Sequence, residues 1–231
     1  MQLFYQPEIS KGVLQLNPEE SRHCIKVLRK REGDKIVVVD GYGSLYEVAI
    51  VAADPRKCTF TVLSIHKEEK HPFSIHIGIA PTKNIDRIEW FLEKAVELGI
   101  DEVTFLQCDH SERVKINEER LWKKAVSAMK QSVKASLPRM NPIIPFEEFA
   151  QKSAAQKFIA HVDRDNPGHL KDVANPKMDY LVMIGPEGDF STREIEIAKA
   201  NEWVSVSLGK SRLRTETAGL AACHILNLIN E

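Results

Sequence analysis

The chain has 231 residues, 43% of them hydrophobic, and a formal net charge of −1, enough to bury a sizeable core in one large domain or two smaller ones. No stretch approaches the roughly 18 uninterrupted apolar residues of a membrane span, and Met1 to Glu8 has neither the basic start nor the apolar run of a signal peptide, so a soluble cytoplasmic protein without a membrane partner is expected. The near-zero charge excludes coating of nucleic acid through bulk electrostatics and confines any RNA contact to a local basic face. Cys24, Cys58, Cys108 and Cys223 lack C-x-x-C spacing, so neither a metal site nor a disulfide framework is expected.

Asn17-Pro18-Glu19-Glu20 combines an N-cap, a proline at the first helical position and an acidic first turn, which predicts a helix over residues 18–28. Arg22, His23, Lys26, Arg29, Lys30 and Arg31 place five cations and a histidine within ten residues on and just beyond it. Such a run reads either as a solvated face or as a phosphate-binding one. Strands are expected at Lys35 to Asp40, Leu45 to Ala53 and Cys58 to Ile65, between turns rich in Gly, Asp and Pro, which suggests a small β-barrel. The charged segment Lys67 to Pro72 sets a boundary, giving domains 1–70 and 71–231.

Beyond it the period changes. Phe73, Ile75, Ile77 and Ile79 alternate as a strand, and Ile88, Phe91, Leu92 and Ala95 recur at helical spacing up to Gly99. Val103 to Leu106 is the next predicted strand, and Asn117 to Ser136 the next helix, with Leu121, Trp122, Ala125, Met129 and Val133 as its apolar face. Further strands are expected at Lys157 to Val162, Tyr180 to Ile184 and Val204 to Leu208, and helices at Thr192 to Asn201 and Glu216 to Asn230. Strands alternating with helices imply an α/β domain with a mainly parallel sheet.

Ligands of such sheets bind beyond the carboxyl ends of the strands, where two informative loops are expected. Ile184-Gly185-Pro186-Glu187-Gly188-Asp189-Phe190-Ser191 leads through a capping-box spacing, Ser191 to Glu194, into a helix. Its glycines permit close backbone approach by a flat ligand such as adenine. Phosphate is disfavoured because Glu187 and Asp189 stand where a phosphate loop offers lysine; a strand-to-helix turn without a ligand is the other reading. Leu208-Gly209-Lys210-Ser211-Arg212-Leu213-Arg214-Thr215-Glu216-Thr217-Ala218 enters a final helix that is apolar on most sides and begins with small residues, so burial, with a partner across one face, is expected. His224, well inside that helix, is expected to be a core or interface histidine.

The two loops, with Lys94-Ala95-Val96-Glu97-Leu98-Gly99 and with His23 and Val27-Leu28-Arg29, resemble the small-subunit ribosomal RNA uridine-N3 methyltransferases of the SPOUT class, ribosomal small subunit methyltransferase E. The resemblance covers essentially the whole chain. It implies a PUA-like β-barrel followed by an α/β domain with a trefoil knot, S-adenosyl-L-methionine as methyl donor, and a homodimer packed through the knot and the last helix. It also implies 16S ribosomal RNA or the assembled small subunit as partner. The donor-binding residues it implies are Ile184, Gly185, Pro186, Glu187 and Gly188 in the first loop. In the second they are Leu208, Gly209, Leu213, Arg214, Thr215 and Ala218. Asp189 departs from the family's usual glycine, and Lys210-Ser211-Arg212 from a proline-containing segment.

Methylation at uridine N3 removes a weakly acidic proton while negative charge spreads to O2 and O4. Arg214 is the first candidate to stabilise that charge. Glu187 and Glu216 are candidate proton acceptors, with loop hydrogen bonding and compensation of a helix N-terminus as the alternatives. RNA is expected on Arg22, His23, Lys26, Arg29, Lys30 and Arg31, extended by Lys83, Arg87 and Arg113. A related SPOUT enzyme acting on another base or on transfer RNA, and a non-catalytic RNA-binding assembly factor, are the competing functions.

Overall fold

Residues 2–161 and 168–231 are described in the structure, a computed structural model. Contacts divide the chain into one unit of Met1–Lys70 with Val126–Leu137 and a second of His71–Ala125 with Pro138–Glu231.

In the first unit β1 (Leu3–Tyr5), β2 (Lys35–Val39), β3 (Ser44–Ala52) and β4 (Thr59–Lys67) form a sheet in that order, with β1 parallel to β2 and the remaining pairs antiparallel. Alternate residues of β3 (Tyr46, Val48, Ile50) point into a core shared with Phe4, Val38 and Phe60, as period-two patterning requires. The helix predicted over 18–28 forms in two parts: α1 (Pro18–Arg22), capped by Asn17 on the Glu20 amide, passes directly into a π-helical turn over His23–Val27 that Leu28 caps. Arg29, at φ 55°, has left the helical region. The segment 126–137 joins this unit through main-chain contacts: Leu137 N–H donates to Gly41 O at 2.9 Å and Gly43 N–H to Ala135 O at 3.1 Å.

The second unit holds a six-stranded, wholly parallel sheet. Its strands are β5 (Ser74–Ile79), β6 (Glu102–Gln107), β7 (Arg139–Pro145), β8 (Gln156–Ala160), β9 (Asp179–Ile184) and β10 (Val204–Val206), ordered β10-β8-β9-β5-β6-β7. Ile75, Ile77 and Ile79 are fully buried and His76 nearly so, because helices cover parallel sheets on both faces. β7, absent from the sequence reading, contains Pro142 and Pro145; it is an edge strand, where missing N–H donors are tolerated, and its register slips opposite Thr104 and Phe105. The end of the strand expected at Lys157 to Val162 lies outside the described residues at Val162.

Five helices complete the unit or run on from it: α2 (Ile85–Leu98), α3 (Glu118–Gln131), α4 (Phe146–Ala150), α6 (Thr192–Ala200) and α7 (Thr215–Leu228), with the single turn α5 (Leu170–Val173) between β8 and β9. The division between the units falls within α3. Gly99, at φ 102°, ends α2 as expected, accepting no side-chain strain. A Cβ on Gly219 would meet Phe91 at 2.8 Å and Ile79 at 3.0 Å, so the small residues of α7 serve its close approach to α2 and β5. The opposite side of α7 is open: Leu228 is 55% exposed, and His224 is exposed rather than in the core. No helix among the described residues is long and apolar enough to cross a membrane.

Candidate active site

The loop after β9 and the loop between β10 and α7 meet at the carboxyl ends of their strands, on either side of a cleft of about 700 Å³. This places the cleft where open α/β sheets bind ligands, with a volume suited to one small molecule. Thr215 Oγ1, buried, donates to Gly185 O at 3.0 Å and ties the loops together. Of the expected donor-binding residues, all except Gly188 line the cleft. Gly188 has His110 beside it instead, 3.1 Å from where a Cβ would stand.

Local sequence explains the loop shapes. Asp189 takes φ 63°, a left-handed backbone that glycine adopts freely and Asp more readily than most residues. Its N–H donates to Pro186 O at 3.0 Å, and its Oδ1 accepts from Phe190 N–H at 2.8 Å, closing the turn. Phe190 is buried against Phe146, and a Cβ on Gly185 would press on its ring at 3.1 Å. Ser191 and Glu194 form the capping box of α6. In the second loop Gly209 has φ 134°, accessible only to glycine without strain, with nothing within 4 Å of a Cβ there. The cleft thus combines bare backbone, the apolar side chains of Ile184, Val206, Leu208 and Leu213, and cations from Arg87, Lys210, Arg212 and Arg214.

Of the charged residues, Arg214 lines the cleft, and Glu187 and Glu216 stand where their loop-bonding and helix-terminus readings put them. Arg214 is exposed and occupies the N-cap position of α7 without a side-chain cap. Glu187 accepts from Lys83 N–H at 3.0 Å, which is the loop-bonding alternative. Glu216 is buried in the first turn of α7, its Oε1 3.9 Å from Arg87 Nε and its Oε2 without a hydrogen-bond partner among the described residues. Arg87 lines the cleft. Lys83 pairs with Glu112 at 2.8 Å, which raises its pKa, and Arg113 donates to the carbonyls of Thr82 and Lys83 at 3.1 and 2.6 Å. Sequence reading missed Ala160, His161 and Ser207 as cleft residues; their position at the ends of β8 and β10 is the signal that could have found them.

In the first unit Arg22, Lys26, Arg29 and Arg31 are exposed, and His23 and Lys30 half-buried. A second cleft there, of about 860 Å³, is lined by Arg22 and His23 together with Arg56 and Lys130, two cations from outside the basic run of residues 22–31. Lys130 Nζ lies 2.5 Å from the buried Glu20 carboxylate. Among the described residues no group of His, Cys, Asp and Glu could hold a metal ion.

Family models match two stretches: an RNA methyltransferase PUA domain over residues 16–63 and an RNA methyltransferase domain over residues 69–227. The ribosomal RNA small subunit methyltransferase E of Bacillus subtilis is 28% identical, over 92% of this chain and 89% of its own. A crystal structure of a probable rRNA-methyltransferase from Porphyromonas gingivalis superposes with a TM-score of 0.95 at 43% identity, covering 100% of this chain and 98% of the other. The ribosomal RNA small subunit methyltransferase E from Neisseria gonorrhoeae, bound to S-adenosyl methionine, superposes at 0.87 with 27% identity and coverage of 100% and 98%. With its α/β domain matched almost end to end and its two strand-end loops bound into one cleft, this chain belongs to the RNA methyltransferase family.

Proposed function

We propose that the protein methylates N3 of a uridine in 16S ribosomal RNA of the small subunit, with S-adenosyl-L-methionine as donor. The observation that carries this reading is the cleft closed by the Thr215 to Gly185 hydrogen bond. Its bare glycine backbone admits a flat base, its apolar side chains suit the rest of an uncharged nucleoside, and Glu187 and Asp189 in the first loop disfavour a phosphate there. When bound, the donor supplies an electrophilic methyl group on a positively charged sulfur. The protein's part is then to hold the base in line, exclude competing water and stabilise charge appearing on the uracil oxygens.

For the RNA, the exposed cations of the first unit supply phosphate contacts, and the target base must leave its stack to reach the cleft. The two loops are read as threaded in a trefoil knot, a rare topology that local patterning cannot reveal. The exposed side of α7, with Leu228 and His224, is assigned to a homodimer contact, which leaves His224 its interface role. Action in the cytoplasm follows from the substrate.

Mass mapping of small-subunit ribosomal RNA from a deletion strain tests the reading. Loss of one 3-methyluridine, restored by the intact gene, is expected. Retention of every methyl mark overturns it, and loss of a mark on another base or on transfer RNA selects the related-enzyme reading instead.

A further inference from the structure

Arg214, the cation expected to face the reacting base, lines the cleft but is exposed at the start of α7 and has no carboxylate partner among the described residues. Arg87 has a different setting. It belongs to the first turn of α2, a regular helix of 14 residues, and lines the same cleft. Its Nε faces Glu216 Oε1 at 3.9 Å, while its terminal nitrogens have no hydrogen-bond partner among the described residues. Glu216 is itself buried, with no hydrogen-bond partner for its second oxygen among the described residues.

A buried carboxylate with an orphan oxygen is costly, and a guanidinium drawn onto both oxygens removes that cost. A guanidinium on a helix, aimed by such a partner, is better oriented than one on an exposed loop. The pair is also close to neutral overall. It therefore attracts a permanent anion weakly, such as the donor's own carboxylate, yet presents two N–H donors to charge that appears only during reaction.

We propose that Arg87 is a catalytic residue of the methyl transfer, its terminal N–H groups stabilising the uracil oxygen that becomes anionic as N3 loses its proton, and that Glu216 is the positioning residue that holds it. The proposal rests on the uridine methyltransferase reading above. In the step, the N3 proton passes to water, the N3 electron pair forms the bond to the methyl carbon, and the carbon–sulfur bond breaks with its pair returning to sulfur.

The test uses the full chain with small-subunit ribosomal RNA and measures kcat, KM for RNA, the pH–rate profile and, by calorimetry, donor affinity. Arg87→Ala is expected to lower kcat by about 10²–10³-fold, the usual effect of losing an oxyanion donor. Donor Kd should change less than about twofold, and the rising limb of the profile should move to higher pH because N3 is no longer acidified. Arg87→Lys should recover part of the loss. Glu216→Gln should lower kcat in the native background and add nothing in the Arg87→Ala background, the signature of a residue acting through another.

Weakened donor binding with unchanged kcat at saturating donor overturns the proposal and assigns Arg87 to the donor's carboxylate. A raised KM for RNA alone overturns it in favour of a phosphate contact, and independent losses in the double variant overturn the role of Glu216. Native protein that leaves the RNA unmethylated overturns the methyltransferase reading, and this proposal with it. Active native protein with a fully active Arg87→Ala overturns this proposal alone.

Discussion

Thr215 and Gly185 are thirty positions apart, yet the threonine hydroxyl donates a 3.0 Å hydrogen bond to the glycine carbonyl. Thr215 opens α7 and Gly185 follows β9, so one buried bond fixes the spacing between the two walls of the cleft.

Removing that bond should weaken the donor site before it weakens the fold. Thr215→Val keeps the volume and leaves the Gly185 carbonyl without its donor, at a cost of about 1–3 kcal/mol. Calorimetry is expected to show donor affinity lower by about tenfold or more, since about 1.4 kcal/mol is one decade. Thr215→Ser, which retains the hydroxyl, should stay near the native value. Equal affinities for the valine and serine variants would refute the coupling of the loops.

The glycine backbone makes a separate prediction. Valine at position 209 is strained at φ 134°, and valine at position 185 is forced against the Phe190 ring. Both variants should lose S-adenosylmethionine binding while keeping the native circular dichroism spectrum and a cooperative melt. Unchanged calorimetric affinity in both would remove the ligand from this cleft.

Salt dependence tests the first unit. Arg22→Ala and Lys26→Ala remove exposed cations that are expected to meet phosphate. Each should weaken RNA binding similarly for all sequences and flatten the slope of log K against log salt by about one. Arg56→Ala should do the same if RNA enters the cleft it lines with Arg22. Slopes that match the native protein would place the RNA elsewhere.

His76 gives the fold a pH dependence. Burial is the main cause that pushes its pKa down from 6.5 to about 4, opposed by Glu102 and assisted by Lys152 and Arg139. In the folded chain the neutral ring shares a 2.7 Å hydrogen bond with Thr104 Oγ1. Between the two values the unfolded chain binds more protons, so stability from the neutral ring is complete above pH 6.5 and is lost as pH falls toward 4. Urea titrations across that window should show a slope of at most about 1.4 kcal/mol per pH unit from this group. His76→Gln should flatten it; an identical slope in the variant would show that His76 does not titrate on unfolding.

Much of the architecture was legible because periodicity reports burial directly. The isoleucines of β5, the Asn17 cap of α1, the Gly99 stop of α2 and the Ser191 capping box all lie where local rules put them. β7 was not legible: its prolines argue against a strand, and only its place at the sheet edge makes them harmless. The segment 126–137 reads as the end of one amphipathic helix, while its main-chain bonds to Gly41 and Gly43 put it in the first unit.

The same division runs through the site. The sequence by itself determined which backbone is free to approach a ligand, since glycine at positions 185 and 209 and proline at 186 state their conformational rules locally. It could not decide which charge faces which. Arg87, read as part of an RNA surface, stands in the cleft beside Glu216, a contact between residues 129 positions apart. Glu187, read either as a base or as a loop hydrogen-bond acceptor, accepts from the main chain at Lys83, a partner 104 positions away that no local rule names. Charge placement depends on which side chains the sheet order brings within a few ångströms, and that order, with β9 between β5 and β8, exists only in the folded chain.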